Sequence, residues 1–221
     1  VIVCLHTGIR RLILEQDGFL RAFDMPTVLW PAGYFLTLWI DSHCFQMAGR
    51  KVLELGAGIG APSVVAQLCG AETVVVTDKQ AHSLLNVEVN AQINRSPNSS
   101  NTTLLTRVLD WDNDTDVAAA AAMGPFDFIL GAGLAPQRWA KRFFTILPKL
   151  LQPVTGRALL CHGTGDFNIT NNGAENELIS IVEIVAGDDY GLQTRWGTPS
   201  EFELLILRMT GHSDFKSGRE L

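Results

Sequence analysis

Apolar residues along this chain come in short runs that alternate between two spacings. Residues 52–55, 73–77, 104–109, 126–130 and 158–161 are brief apolar stretches, each followed at once by Gly, Asp or His. Runs of that length, bounded by turn residues, predict strands buried on both faces. Between them the apolar spacing widens to three and four. Val64, Val65 and Leu68 follow the first run, and Leu84, Leu85, Val87 and Val89 the second. An alanine-rich stretch, 117–123, follows the third, and Trp139, Phe143, Phe144, Ile146 and Leu150 follow the fourth. These predict helices. Pro62 falls in the first turn of the first helix, where its missing N–H does no harm, and Gly70 ends it. Farther on, the spacing predicts a helix over 175–185 and an alternating strand over 201–208.

Strand–helix repetition of this kind predicts an α/β fold, a mostly parallel sheet with helices on both faces. Such sheets bind ligands outside the carboxyl ends of the strands, where strand order reverses. Gly56–Gly60, Asp78, Asp110-Trp111, Gly131-Ala132 and His162 all follow predicted strands. They are therefore expected along one edge of the sheet.

The 221 residues suit a single domain: an N-terminal segment over 1–50, a core over 51–210 and a polar tail over 211–221. Hydrophobic content of 47% with 18% charged residues is that of an ordinary globular interior. No apolar run is long enough to span a bilayer, and residues 1–4 lack the flanks of a signal peptide. A net charge of −6 argues against a nucleic-acid backbone as partner. The four cysteines, Cys4, Cys44, Cys69 and Cys161, show no paired metal spacing. A reduced protein of the cytoplasm or nucleus, monomeric and without a bound metal, is the simplest expectation. Asn98-Ser-Ser and Asn101-Thr-Thr read as polar loop, not as glycosylation sites.

The densest chemical signal is Lys51-Val-Leu-Glu-Leu-Gly-Ala-Gly-Ile-Gly60, answered by Asp78 at the end of the next strand. Glycine at this turn lets backbone approach a ligand that a side chain would hold away. The helix that follows offers free N–H groups, and a carboxylate at the tip of the second strand can accept from both hydroxyls of a ribose. Gly56-Ala57-Gly58-Ile59-Gly60-Ala61 satisfies both a dinucleotide fingerprint and the loop that binds S-adenosylmethionine. Glu54 separates the two. An acid beside the loop suits a cationic sulfonium and ammonium and would repel a pyrophosphate.

Together these residues resemble the seven-strand, lysine-directed methyltransferases known as methyltransferase family 16. Thr27-Val-Leu-Trp-Pro-Ala-Gly33 resembles the family's tryptophan segment, and Val52–Gly60 its cofactor loop. Asp78 stands at the ribose acid, Asn86-Val-Glu-Val-Asn90 at the second-helix asparagines, Leu109-Asp110-Trp111 at the adenine turn, and Phe126–Ala132 at strand four. The resemblance implies a Rossmann-like sheet of order 3-2-1-4-5-7-6 with strand seven antiparallel. It implies S-adenosylmethionine as cofactor, held by Trp30, Glu54, Gly56, Gly58, Gly60, Asp78, Asp110, Trp111 and Ala132. The substrate it implies is a lysine of an intracellular protein. Asn90 reads as a helix-end hydrogen-bonding residue instead of a ligand contact.

One departure bears on activity. Where the family carries Asp-x-x-Tyr after strand four, this chain has Gly133-Leu-Ala-Pro136. Methyl transfer to lysine needs a neutral amine aligned with the methyl carbon, and that alignment loses two polar side chains here. The readings left open are a lysine methyltransferase, a cofactor-binding protein that serves as an interaction module, a small-molecule methyltransferase and a nucleotide-dependent oxidoreductase. His162, at the end of the fifth strand, is the candidate catalytic substitute, with Asp166 placed to orient it or to bind a substrate cation.

Overall fold

The computed structural model describes residues 2–6, 11–16, 28–95, 101–134, 137–163, 179–186 and 202–209. Strands β1 (Ile2–His6) and β2 (Arg11–Glu15) form an antiparallel hairpin, followed by α1 (Pro31–Ser42) and the short α2 (Cys44–Met47). The alternation then begins: β3 (Lys51–Leu55), α3 (Ala61–Leu68), β4 (Thr73–Asp78), α4 (Ala81–Ile93), β5 (Thr103–Val108), α5 (Asp114–Met123), β6 (Phe128–Ala132), α6 (Gln137–Leu150) and β7 (Arg157–Gly163). Strands β8 (Ile179–Ala186) and β9 (Phe202–Met209) complete the described elements.

Seven strands form one sheet in the order β5-β4-β3-β6-β7-β9-β8. Strands β3 to β7 pair in parallel, and β9 runs antiparallel to both neighbours. Counted within the sheet, the order is 3-2-1-4-5-7-6, with strand seven antiparallel. Strand order reverses at β3, between β4 and β6, so the crevice for a ligand belongs there.

Helices cover both faces because both faces of the strands are apolar. On one side Val52, Val74, Val76 and Leu130 pack with Leu36 and Trp39 of α1, Val64 of α3, Val87 of α4 and Leu12 and Leu14 of β2. On the other, Leu53, Leu55, Val75 and Ile129 pack with Val117 of α5 and Phe143, Ile146 and Leu150 of α6.

Two sequence expectations are corrected here, and the N-terminal segment gains detail. Residues 175–185 were expected to be helical, but Ile179–Ala186 is a strand paired with β9. A register shift between Ile181 and Glu183 breaks its two-residue alternation, so the apolar spacing imitates a helix. The β-branched Ile and Val content favours the strand. Next, the N-terminal segment holds a hairpin and a buried helix beyond its tryptophan. Asn90, fully buried on α4, accepts from the Glu15 amide at 2.6 Å and donates to the Glu15 and Ile59 carbonyls. Asn94 bonds Ile13 in the same two-way manner, so two asparagines bind β2 to α4. Finally, the cysteines are not all reduced: Cys44 and Cys69 form a disulfide, their Cα atoms 5.0 Å apart. They are 25 residues apart in sequence, a separation that carries no motif, and α1–α3 packing brings them together. Cys4 is exposed and Cys161 buried, both as thiols. Among the described residues, no helix is long and apolar enough to cross a membrane. Asp166 and residues 211–221 lie outside the described residues.

Candidate cofactor site

A cleft opens at the carboxyl edge of the sheet, walled by Gly56, Asp78, Lys79, Leu109, Asp110, Trp111 and Leu134. Four of these seven were singled out from the sequence, and they reach the cleft from three consecutive strand ends. The glycine loop is fixed from below: the Ala57 amide donates to the Thr77 carbonyl at 2.9 Å, and the Thr77 hydroxyl to the Glu54 carbonyl at 2.6 Å. The Gly58 amide donates to Asp78 Oδ2 at 3.0 Å, while Oδ1 accepts from the Gln80 amide at 2.9 Å. Both carboxylate oxygens thus stand at the strand tip beside the glycine loop.

Gly60 serves the packing of the loop. It is left-handed, with φ +72°, and a Cβ there would stand 2.8 Å from a Val87 methyl of α4. Only glycine lets the loop settle onto α4 at this point.

The opposite wall is apolar with a charged rim. Trp111 is half-buried against Phe143, and its carbonyl accepts from the Arg142 guanidinium, which also pairs with Asp114 at 2.7 Å. Lys79 Nζ lies 2.8 Å from Asp110 Oδ2. That ammonium, with the Asp112 amide, holds the Asp110 carboxyl below the usual carboxylate range. Lys79, Leu134 and Arg142 were missed by the sequence reading. Lys79 could have been suspected from its place beside Asp78 and Leu134 from its place in the segment after strand four; Arg142 carries no local signal.

Leu134 occupies the crevice itself. Its methyls stand 2.8 Å from where a Gly56 side chain would begin and 2.7 Å from the same point at Gly131. The side chain thus fills the notch between β3 and β6, where strand order reverses.

The remaining expected residues lie elsewhere. Glu54 is almost fully buried, outside the cleft wall, and accepts from the Ser63 amide at 3.1 Å and from the Ser63 hydroxyl. It satisfies a free N–H in the first turn of α3. Burial pushes its carboxyl up to about 8, so near neutrality the proton is mostly held. This removes much of the negative charge that the sequence argument assigned to the loop. Trp30 precedes α1 with 44% of its surface exposed and is not part of the cleft wall. Ala132 ends β6 and packs against the α1 side of the sheet. His162 is buried near the end of β7, its Nδ1 2.8 Å from the Gly163 carbonyl. Strand alternation puts it on the face of Ala158 and Leu160, away from Cys161 and α1.

The family model for lysine methyltransferases matches residues 10–162, from β2 to the end of β7. The chain belongs to the lysine methyltransferase family. Protein N-lysine methyltransferase METTL21A of Danio rerio is 28% identical over 124 residues, covering 56% of this chain and 53% of that protein. Histone-arginine methyltransferase METTL23 of Homo sapiens is 28% identical over 105 residues, covering 47% and 52%. The chain spans about half the length of these curated relatives. The crystal structure of Pyrococcus abyssi tRNA (uracil-54, C5)-methyltransferase in complex with S-adenosyl-L-homocysteine has the same fold. Its TM-score is 0.58 at 13% identity, covering 95% of this chain and 44% of that one. Within the lysine methyltransferase family frame, the glycine loop, Asp78 and the Asp110-Trp111 turn occupy the three neighbouring strand ends β3, β4 and β5.

Proposed function

We propose that this protein is an S-adenosylmethionine-dependent methyltransferase directed at a lysine of a protein substrate. The observation that carries this reading is the cleft at the β3–β4–β5 strand ends, in a chain of the lysine methyltransferase family. The residues present suit the cofactor. Asp78 offers both carboxylate oxygens at the strand tip, as two vicinal ribose hydroxyls require. Leu109 and Trp111 give an apolar bed for a purine, with Asp110 at its rim as acceptor for an amino group. Gly56 has a left-handed backbone, φ +66°, so any side chain there would be strained and would also push the Leu134 methyl aside. When bound, S-adenosylmethionine supplies an electrophilic methyl on a sulfonium.

The chain's own contribution is positional. Asp78 and the loop amides hold one end of the cleft in a single hydrogen-bonded unit, while Leu109, Trp111 and Leu134 exclude water from its floor. Alignment and desolvation of this sort favour attack by a neutral amine. Gly133 brings no polar side chain where the family carries Asp, so recognition of the lysine falls to the protein around it. This favours a folded substrate over a short peptide. His162, put forward from the sequence as the substitute base, is tied to Gly163 and suits a strand-end fastening better than proton transfer.

The test uses cofactor carrying a radiolabelled methyl group and cell lysate as substrate. Label should enter a small number of proteins and appear as methyl-lysine after acid hydrolysis. Methyl-arginine in its place would move the acceptor. Binding of cofactor with no transfer to any lysate protein would favour a non-catalytic interaction module.

A further inference from the structure

At the joint between α1, α2 and α3, away from the cleft, three ligand-type side chains meet. The carboxylate of Asp41 and the sulfurs of Cys44 and Cys69 lie within 4.8 Å of one another. Asp41 is fully buried, Cys69 nearly so, and Cys44 half-buried. The joint does not depend on the sulfurs alone. The Gly49 amide donates to the Gly70 carbonyl at 2.8 Å, and the Glu72 amide to the Arg50 carbonyl at 2.9 Å. These bonds hold the segments that follow α2 and α3 side by side whether or not the sulfurs are joined. A pair held in this way can open and close without refolding.

We propose that Cys44 and Cys69 are a reversible oxidation site, with Cys44 the thiol that meets a peroxide and Cys69 the thiol that resolves it. Cys44 takes the first role because it is the more exposed of the two. Its thiolate attacks one peroxide oxygen, the O–O bond breaks, the sulfur becomes a sulfenic acid, and the departing oxygen leaves as water. The Cys69 sulfur then attacks that sulfur, the S–S bond forms, and the hydroxyl leaves as a second water with the Cys69 proton. Two thiols and one hydrogen peroxide thus give one disulfide and two waters. A dithiol reverses the step through a mixed disulfide. Asp41 sets the pace by position: any negative charge on a carboxyl within 4.8 Å of both sulfurs opposes a thiolate there, and the neutral disulfide has no such conflict.

The closed ring has a functional content. It encloses β3, the glycine loop and α3, so oxidation cross-links the two ends of the cofactor-binding unit. Cys161 is a built-in control. It is fully buried, and desolvation pushes its thiol far up, so it should stay unreactive. Cys4 is exposed and should react freely.

The intact protein is reduced with a dithiol, freed of reductant and treated with hydrogen peroxide. It is then alkylated and peptide-mapped. The expected product is a linked peptide pair containing Cys44 and Cys69, two hydrogens lighter than its parts, with Cys161 unmodified until denaturation. The melting temperature should rise by about 5–10 °C on oxidation, as a ring of this size implies. Cys44→Ser should abolish that rise, and Asp41→Asn should speed closure several-fold. Free alkylation of both cysteines after peroxide would overturn the assignment. So would stepwise over-oxidation of Cys44 without a link, or one equivalent of zinc that copurifies and is lost in Asp41→Ala. Should Cys44→Ser fail to fold, the wild-type peptide map decides alone. None of these readouts depends on methyl transfer.

Discussion

The Gly58 amide and the Asp78 carboxylate, 3.0 Å apart, make the glycine loop and the tip of β4 one hydrogen-bonded unit. Asp78→Ala should therefore act twice, on the ligand and on the loop that receives it. Cofactor affinity should fall by about 1.5–3 kcal/mol, the range for hydrogen bonds to a charged group. Asp78→Asn keeps one acceptor oxygen and should lose less. Calorimetry with S-adenosylhomocysteine measures both, and equal affinity in wild type and Asp78→Ala would exclude Asp78 from the site.

Leu134 fills the notch where a ligand would approach the sheet. Leu134→Ala should widen the crevice and leave cofactor affinity equal or tighter, at a stability loss of about 2–3 kcal/mol, the lower part of the range for buried Leu→Ala. Leu134→Phe should weaken binding at least about tenfold by overfilling the same space. If both variants bind as wild type does, Leu134 lies outside the path of the ligand.

How far the sequence reached depends on how local each signal is. The glycine loop, Asp78 and the Asp110-Trp111 turn were legible because each sits at the end of a strand with its own apolar pattern. The sheet and its covering helices followed from those patterns. Arg142 enters the site from α6 through a tertiary contact with the Trp111 carbonyl, which no spacing in the chain records. Glu54 was read as a charge near the ligand; only the fold shows Ser63 closing over it and burial holding its proton. The N-terminal hairpin escaped notice because its docking rests on the side chains of Asn90 in α4 and of Asn94, which caps that helix, 75 and 81 residues away.

Burial raises the Glu54 carboxyl from about 4.5 to about 8. The folded protein therefore binds this proton more tightly than the unfolded chain does. Stability from this source is complete below about pH 4.5 and is lost as pH rises toward 8. Glu54→Gln removes the titration, so its advantage over wild type should grow from pH 5 to pH 9. Parallel urea-stability curves for the two proteins across that range would show that Glu54 does not titrate there.

Asn90 holds three backbone groups, two on β2 and one in the glycine loop. Asn90→Ala would leave the buried Ile59 carbonyl without its donor and free the part-buried Glu15 amide and carbonyl, and should destabilise the fold by about 1–3 kcal/mol. Limited proteolysis should then cut first beside the hairpin. Uniform protease resistance with unchanged stability would show that the hairpin is held without Asn90.

His162→Ala separates fastening from chemistry. As a strand-end fastening, His162 should affect thermal stability and leave the methylation rate of an identified substrate within about twofold. A loss of tenfold or more in rate, the scale of a missing general base, with stability and cofactor affinity intact would restore it to the mechanism.

Strand β9 lies between β7 and β8, although it follows both in the chain. A ribosome making this protein releases β3 to β7 with the whole Leu159–Cys161 flank of β7 open, and the gap closes only when residues 202–209 emerge. Until then the nascent chain carries a sticky apolar margin beside an otherwise assembled sheet. Translation pausing shortly before β9 should therefore prolong chaperone occupancy, and premature stop codons before residue 202 should yield insoluble chains in place of shortened soluble ones.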